Sequence, residues 1–289
     1  MSVVIATYDR LDYLAEAIES ALAQTIGVSE VIVVDDASPV PPRPVVERFD
    51  DRVTYLRLQE NVGACAARNV GIERASGTFI ALLDDDDVWL PNKLERQLAA
   101  IGDREACLCG YFRTGAGFAV VRPGLALATE AEFRKGNRVC GTSGLVARRA
   151  AMLETPFDAR IHSSHDWDVY VRLSQRGPIA YVGEPLFKLR EGHGDRITYD
   201  VRSMEFADLP HQLAVVEKHR VWLGNKAYRA RIADVSLRFL RRRRSKLPYL
   251  RYAIVNAGLG ATLLCLMNRL LRVGARTAAR LRQRAWRAG

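Results

Sequence analysis

No run of about 20 apolar residues, the length a helix needs to cross a bilayer, occurs in this 289-residue chain. The run from Tyr252 to Met267 is 16 residues and carries Asn256, so it reads as a peripheral or re-entrant element. Cysteine is sparse and odd in number. The five thiols at Cys65, Cys107, Cys109, Cys140 and Cys265 cannot all pair, and Cys107-x-Cys109 is not the C-x-x-C of a zinc ribbon. Reduced thiols in a cytosolic compartment are therefore expected. No charged-then-apolar leader follows Met1, which runs straight into the strand-like Val3-Val4-Ile5-Ala6. Acidic residues nearly vanish late in the chain. Residues 218–289 hold one Asp against 19 Lys and Arg, a net +18, whereas residues 1–217 hold 32 acidic and 24 basic residues, a net −8. The overall +10 hides a mildly acidic body and a very basic tail. Such a tail seeks an anionic partner. It has few aromatics, only Trp286 after Tyr252, so base-stacking platforms are missing and no nucleic acid partner is expected.

What is present is an ordinary globular balance, 48% hydrophobic and 26% charged. That is too apolar for a disordered chain and too mixed for a multi-span membrane protein. The first hundred residues alternate strand and helix signals. Val3–Ala6, Val31–Val34, Val53–Leu58 and Phe79–Leu83 read as strands. Leu11–Ala23, Ala64–Ala75 and Pro91–Ile101 read as helices. The order implies an α/β fold, with a largely parallel sheet covered by helices on both faces. Ligands of such sheets sit beyond the carboxyl ends of the strands. Three polar clusters lie there: Thr7-Tyr8-Asp9, Asp35-Asp36-Ala37-Ser38, and Asp84-Asp85-Asp86-Asp87. Residues 102–160 are less regular and glycine-rich, and no internal repeat is evident.

Four successive carboxylates repel one another unless a cation neutralises them. Oxygen-only ligands suit Mg²⁺ or Mn²⁺. A solvated acidic loop is the plainer alternative, but this run ends an apolar strand and precedes Val88-Trp89-Leu90-Pro91. Asp36 fits a turn or a cap equally well as a nucleotide base. Its place opposite Tyr8 favours the base, since a carboxylate accepts a pyrimidine N–H and an aromatic stacks on the ring. Arg68 reads as a surface arginine or as a bidentate partner for a diphosphate. Farther on, Ser163 or Ser164 could cap the helix that begins near Asp166, with Asp166 favouring its positive end. Asp168 reads as a solvated helix residue, and His193 as a loop histidine.

These pieces, in this order, resemble the family-2 inverting glycosyltransferases with the GT-A fold, a Rossmann-like architecture. The resemblance runs from about Ser2 to about Ile197. It is carried by Ser2–Arg10, Val31–Ser38, Asn61–Gly71, Ala75–Pro91 and Gly141-Thr142-Ser143. It implies that Tyr8 and Asp36 hold the nucleotide base, with the backbone of Ala6 and Thr7 lining that pocket. Asp84-x-Asp86 would be the Asp-x-Asp motif, with Asp86 on the divalent metal and Asp84 and Asp85 facing the ribose or metal-bound water. The alternative register, Asp85/Asp87, is set aside because Val88-Trp89-Leu90-Pro91 anchors the alignment. Arg68 would sit near the diphosphate and His193 near metal and diphosphate. Asp166 would be the catalytic base, with His165 standing where the family usually has glutamate.

The resemblance thus implies an enzyme that moves sugar from a nucleotide-sugar donor, a UDP-sugar by preference, to a glycan or lipid-linked acceptor. Mg²⁺ or Mn²⁺ would be the cofactor and bacterial surface polysaccharide the product class. The expected division is a nucleotide-sugar-binding half at 1–100, an acceptor-binding half at 101–200, and a helical basic extension at 201–289. In that extension Arg269, Arg272, Arg276, Arg280, Arg284 and Arg287 recur at helical spacing opposite Leu263, Met267, Leu270 and Leu281, beside the cluster Arg241–Arg244. That pattern predicts peripheral attachment to an anionic membrane surface, the inner face of the cell membrane. Two other readings remain: a phosphatase of the haloacid-dehalogenase type, which shares an Asp-x-Asp strand end, and a non-catalytic membrane-binding homologue.

Overall fold

Strand β1 (Ser2–Thr7) carries Val3, Val4 and Ile5, each at most 1% exposed, and becomes an interior strand of a mixed sheet in an α/β fold. In the computed structural model its neighbours are β2 (Glu30–Asp35) and β4 (Phe79–Asp84), both parallel to it, and β3 (Val53–Arg57) lies parallel outside β2. The structure describes residues 1–114, 119–121, 123–161, 163–190, 205–238, 240, 243 and 245–271. The remaining main strands are β5 (Val88–Trp89), β6 (Ala106–Thr114), β9 (Val146–Arg148) and β10 (Ile179–Arg190). The order is β3-β2-β1-β4-β9-β6-β10-β5, with β7 (Ala119–Val121) beside β6 and β8 (Leu127–Ala128) beside β10. Antiparallel β9 joins the parallel β1–β4 side to the parallel β6/β10 pair. The three residues of β9 lie inside the irregular 102–160 stretch, too short for a periodicity to announce them.

The helices of this unit are α1 (Leu11–Leu22), α2 (Arg43–Val46), α3 (Ala64–Arg74), α4 (Lys93–Ile101), α5 (Glu130–Phe133), α6 (Arg149–Glu154) and α7 (His165–Arg176). Helix α1 buries Leu14, Ala17, Ile18 and Ala21, the one-face spacing of an amphipathic helix. Helix α3 packs by smallness instead. A Cβ on Gly71 would stand 2.4 Å from Val4 Cγ1 and 3.2 Å from Val34 Cγ2. That close approach to β1 and β2 carries Arg68, one turn earlier, beside the strand ends.

The chain divides into two units, Met1–Gly194 and Asp195–Gly289. The second is helical: α8 (Leu209–Lys218), α9 (Arg220–Ser236), α10 (Leu247–Ala257) and α11 (259–271). Its core includes Leu213, Val216, Ile232, Ala233 and Ala253. Arg269 is not a free basic-face residue. Its guanidinium donates to the carbonyls of Asp234 and Leu237 at 2.7 Å and to Asp234 Oδ1 at 3.0 Å. Among the described residues no helix is long and apolar enough to cross a membrane. The arginines from 272 onward, and Arg241, Arg242 and Arg244, lie outside the described residues.

Candidate active site

Three non-glycine residues among those described adopt left-handed backbone: Asp9 (φ 54°), Ala37 (φ 60°) and Ser164 (φ 59°). The first two follow β1 and β2, and the third precedes α7. Strained backbone of this kind concentrates where side chains must be aimed. The Asp9 N–H donates to Ser38 Oγ at 3.0 Å, tying the two strand-end turns together. Asp35 points inward and is fully buried. It accepts from Tyr55 Oη at 2.6 Å and the Ser38 N–H at 2.8 Å, and pairs with Arg57. These bonds hold its carboxyl below the usual range against the opposing effect of burial. Asp36 is 3% exposed, and its two oxygens accept the Val62 and Gly63 N–H groups at 2.8 Å. Gly63 is left-handed (φ 86°), which lets this loop turn its amides onto the carboxylate. Burial raises the Asp36 carboxyl. Each oxygen keeps a further lone pair for an outside donor. Tyr8 stands 44% exposed at the same edge. Thr7 is buried beside Asp35, and its carbonyl accepts the Asp36 N–H at 2.9 Å. Ala6 pairs with Val34 on one side and Asp84 on the other.

The acidic run meets its cations within the protein. Asp84 Oδ1 accepts from Arg68 Nη2 at 2.7 Å. A single nitrogen of Arg10, Nη1, lies 3.0 Å from both Asp85 Oδ1 and Asp86 Oδ2. Asp87 accepts from Ser143 Oγ at 2.6 Å and from the Arg190 N–H at 3.2 Å. Ser143 Oγ in turn accepts the Asp84 N–H at 3.0 Å. Asp87 thus belongs to the scaffold, and Asp84–Asp86 line the strand end. Burial pushes the Asp85 carboxyl up to about 6, in spite of Arg10. Among the described residues no group of three His, Cys, Asp or Glu gathers into a metal cage. Mg²⁺ is ordinarily held by one or two carboxylates plus substrate phosphates. Asp86, an oxygen donor among further carboxylates, fits that incomplete set. His193 lies outside the described residues.

Asp166 reaches this edge from α7. The Asn69 amide on α3 clasps the backbone of Phe157, donating to its carbonyl and accepting its N–H, both at 2.8 Å. Trp167 Nε1 donates to the Phe133 carbonyl at 2.8 Å and Tyr170 Oη to that of Gly141 at 2.9 Å. These anchors orient the first turn of α7. His165 Nε2 lies 3.2 Å from Arg68 Nη1. Arginine only donates, so Nε2 accepts and the ring proton sits on Nδ1. Burial, then the Arg68 charge, pushes the His165 pKa down to about 3, so the ring is neutral. Arg68 therefore joins Asp84 on β4 to His165 on α7, and Asp166 is the next residue. Asp166 accepts the Trp167 N–H at 2.7 Å and the Asn137 amide at 2.6 Å. Burial outweighs both bonds and pushes its carboxyl up to about 6.

Two sequence expectations are corrected here. Ser164 sits at the cap position of α7 but makes no side-chain cap bond. Its left-handed backbone serves the loop instead. Asp168 is not solvated: it is fully buried, and Arg172 donates to its Oδ2 from Nε at 3.1 Å and Nη2 at 2.7 Å. The Arg172 stem covers the carboxylate one turn earlier. Asn137 escaped the sequence reading altogether, because an isolated polar residue in an irregular segment carries no pattern. Arg10 had a signal, its place directly after Thr7-Tyr8-Asp9.

The profile of "Glycosyl transferase family 2" matches residues 2–153. The chain is 33% identical to "Uncharacterized glycosyltransferase YwdF" of Bacillus subtilis over 184 residues, 61% of this chain and 68% of that protein. It is 38% identical to "Putative teichuronic acid biosynthesis glycosyltransferase TuaG" of the same organism over 118 residues, 40% of this chain and 46% of that protein. The match thus spans less than half of the length of TuaG. Among solved structures, S. aureus TarS 1-349 in complex with UDP-GlcNAc superposes with a TM-score of 0.63 at 18% identity, over 93% of this chain and 91% of that one. The mannosyltransferase PcManGT from Pyrobaculum calidifontis, in complex with GDP-Man and Mn²⁺, gives 0.60 at 17% identity, over 94% and 80%. These two show a shared fold.

Proposed function

The chain belongs to glycosyl transferase family 2, and on that premise we propose that it is a metal-assisted, inverting glycosyltransferase. It takes a nucleoside-diphosphate sugar, with uridine as the favoured base, and delivers the sugar to a hydroxyl of a glycan or lipid-linked acceptor in bacterial surface polysaccharide synthesis. One observation carries the reading. Arg68 bridges the acidic strand end at Asp84 and His165, and the next residue, Asp166, has its carboxyl raised by burial to about 6, which supports a base near the strand end. The complexes of TarS with UDP-GlcNAc and of PcManGT with GDP-Man and Mn²⁺ support the donor class, and the name of TuaG supports the product class.

In this reading Tyr8 stacks on the base, and Asp36 accepts its N–H while the Ala6–Thr7 backbone lines the pocket. Asp84 and Asp85 face the ribose side. A divalent ion held by Asp86, with His193 nearby, would supply neutralisation of the departing diphosphate. Arg68 adds a fixed positive charge beside that group. Asp166, ionised above pH 6, takes the acceptor hydroxyl proton. The acceptor oxygen forms its bond to the anomeric carbon as the bond to the phosphate oxygen breaks, and the diphosphate leaves with the electron pair. A single displacement inverts the configuration. Calorimetric titration with UDP, GDP and dTDP, with and without Mn²⁺, tests it on wild type and Asp86→Ala. Mn²⁺-dependent binding of UDP, lost in the variant, is expected. Absence of binding by all three nucleotides overturns the reading.

The second unit is proposed to rest on an anionic membrane surface at the cytoplasmic face. Val255, Leu259, Leu263, Leu264, Leu270 and Leu271 are each more than half exposed, in the segment whose net charge is +18. An exposed apolar stripe within a basic segment suits anionic lipid. Flotation of the full chain with vesicles containing phosphatidylglycerol, but not with phosphatidylcholine alone, is expected. Loss of flotation in Leu263→Asp/Leu270→Asp would support the stripe, and equal flotation with both vesicle types refutes the charge term.

A further inference from the structure

Arg10 occupies a place that the functional reading leaves unexplained. It follows the left-handed Asp9, whose N–H is pinned to Ser38, and it stands at the N-cap position of α1 with non-helical backbone (φ −136°, ψ 56°). This turn throws the side chain across the strand ends. One nitrogen then holds two carboxylates, Asp85 and Asp86, at 3.0 Å each. Those carboxylates are 6% and 3% exposed, whereas the arginine side chain keeps 21% of its surface in solvent. The cation is therefore the accessible member of the trio, and the anions are the enclosed ones. A guanidinium carries its charge at every working pH. It offsets one negative charge of the run without help from an ion, and it claims the carboxylate to which the functional reading assigns the metal.

We propose that Arg10 is an exchangeable counter-ion of the metal carboxylate: it holds Asp86 while the site is empty, and yields it when metal and donor diphosphate arrive together. The inference rests on the assignment of Asp86 to the metal. It has a direct consequence. A divalent ion alone must displace a charge-assisted bond and gains no compensating phosphate ligand, so it binds weakly. With a nucleoside diphosphate present, the released guanidinium has a new anion at hand, and the two ligands bind cooperatively.

The test is Mn²⁺ binding to the full chain without nucleotide, read as free Mn²⁺ by electron paramagnetic resonance. Wild type is compared with Arg10→Gln and Arg10→Lys, and the series is repeated with UDP. Arg10→Gln is expected to bind Mn²⁺ alone on the order of tenfold more tightly than wild type, the worth of one bond to a charged group. Arg10→Lys, one bond shorter and more strongly hydrated, falls between them and decides the matter if the glutamine variant does not fold. UDP should improve Mn²⁺ affinity more in wild type than in either variant. Unchanged or weaker binding of Mn²⁺ alone in a folded variant overturns the proposal and assigns Arg10 a fixed structural role. A lack of any UDP effect in all three proteins overturns the donor reading while the Mn²⁺-alone comparison still decides Arg10. No Mn²⁺ binding in any of them overturns the metal assignment and this proposal together.

Discussion

Removing the Asn137 amide should move the acid limb of the pH–rate profile upward. Burial sets the Asp166 carboxyl near 6, and the Trp167 N–H at 2.7 Å and the Asn137 amide at 2.6 Å keep it from rising further. Both bonds favour the charged form. A hydrogen bond to a charged group contributes about 1.5–3 kcal/mol. Asp166 retains some solvent contact, so water replaces part of it, and about 1.4 kcal/mol is the working figure, or about one pH unit. In Asn137→Ala the limb then moves from about 6 to about 7. The ionised fraction falls roughly fivefold at pH 6, roughly twofold at pH 7, and hardly at all at pH 9. The bond from Asn137 to the Cys140 carbonyl, at 2.7 Å, is lost as well, and this adds a loss that does not vary with pH. The assay is kcat/KM against pH from 5 to 9.5, by release of the nucleotide at saturating Mn²⁺. The donor's diphosphate diester has no proton to lose in that range, so the limb belongs to the enzyme. A limb that stays in place or moves down in Asn137→Ala refutes the argument. A wild-type limb near 4 refutes the burial effect itself.

Asp166→Asn should abolish transfer and leave UDP and Mn²⁺ binding intact. Because the native carboxyl lies above its ordinary value, the stability it contributes is complete below about pH 4 and is lost as pH rises through about 6. The melting temperature of Asp166→Asn relative to wild type should therefore climb between pH 4 and pH 7, and a flat difference rejects the shift. His165→Glu sets a carboxylate against Arg68 and beside Asp166, so the acid limb should rise by about half a unit or more. A fall in the limb refutes the electrostatic argument, because a new anion beside Asp166 can only disfavour its ionised form. Gly71→Ala would press a methyl group into Val4 at 2.4 Å. Overpacking of this kind costs about 1–3 kcal/mol, visible as a lower urea midpoint, and an unchanged midpoint disproves the contact.

The first half of the molecule was readable because its signals are local. Apolar runs such as Val31–Val34 become strands wherever they are buried on both faces, and β2 extends that run by only one residue at each end. Leu14, Ala17, Ile18 and Ala21 show the helical period of α1 without reference to any partner. The carboxylates after β4 announce a strand end for the same reason. The irregular stretch was not readable. Strand β9 is three residues long and exists through pairing with β4 and β6. Asn137 gains its role only where α7 presents Asp166 to it. Asp168 reads as solvated in the sequence, and the packing of α7 buries its carboxylate beneath the partly exposed Arg172.

The amino-acid order alone thus settled the α/β class, the strand-end placement of Tyr8, Asp36 and Asp84–Asp86, and the charge asymmetry between body and tail. These depend on period, on chain direction and on counting. The folded chain alone decided which cations pair with the acidic run. Arg10 lies 75 residues from Asp85, and Arg68 lies 97 from His165. A carboxylate takes its partner and its proton affinity from whatever lies within a few ångströms, and no spacing along the chain encodes that distance.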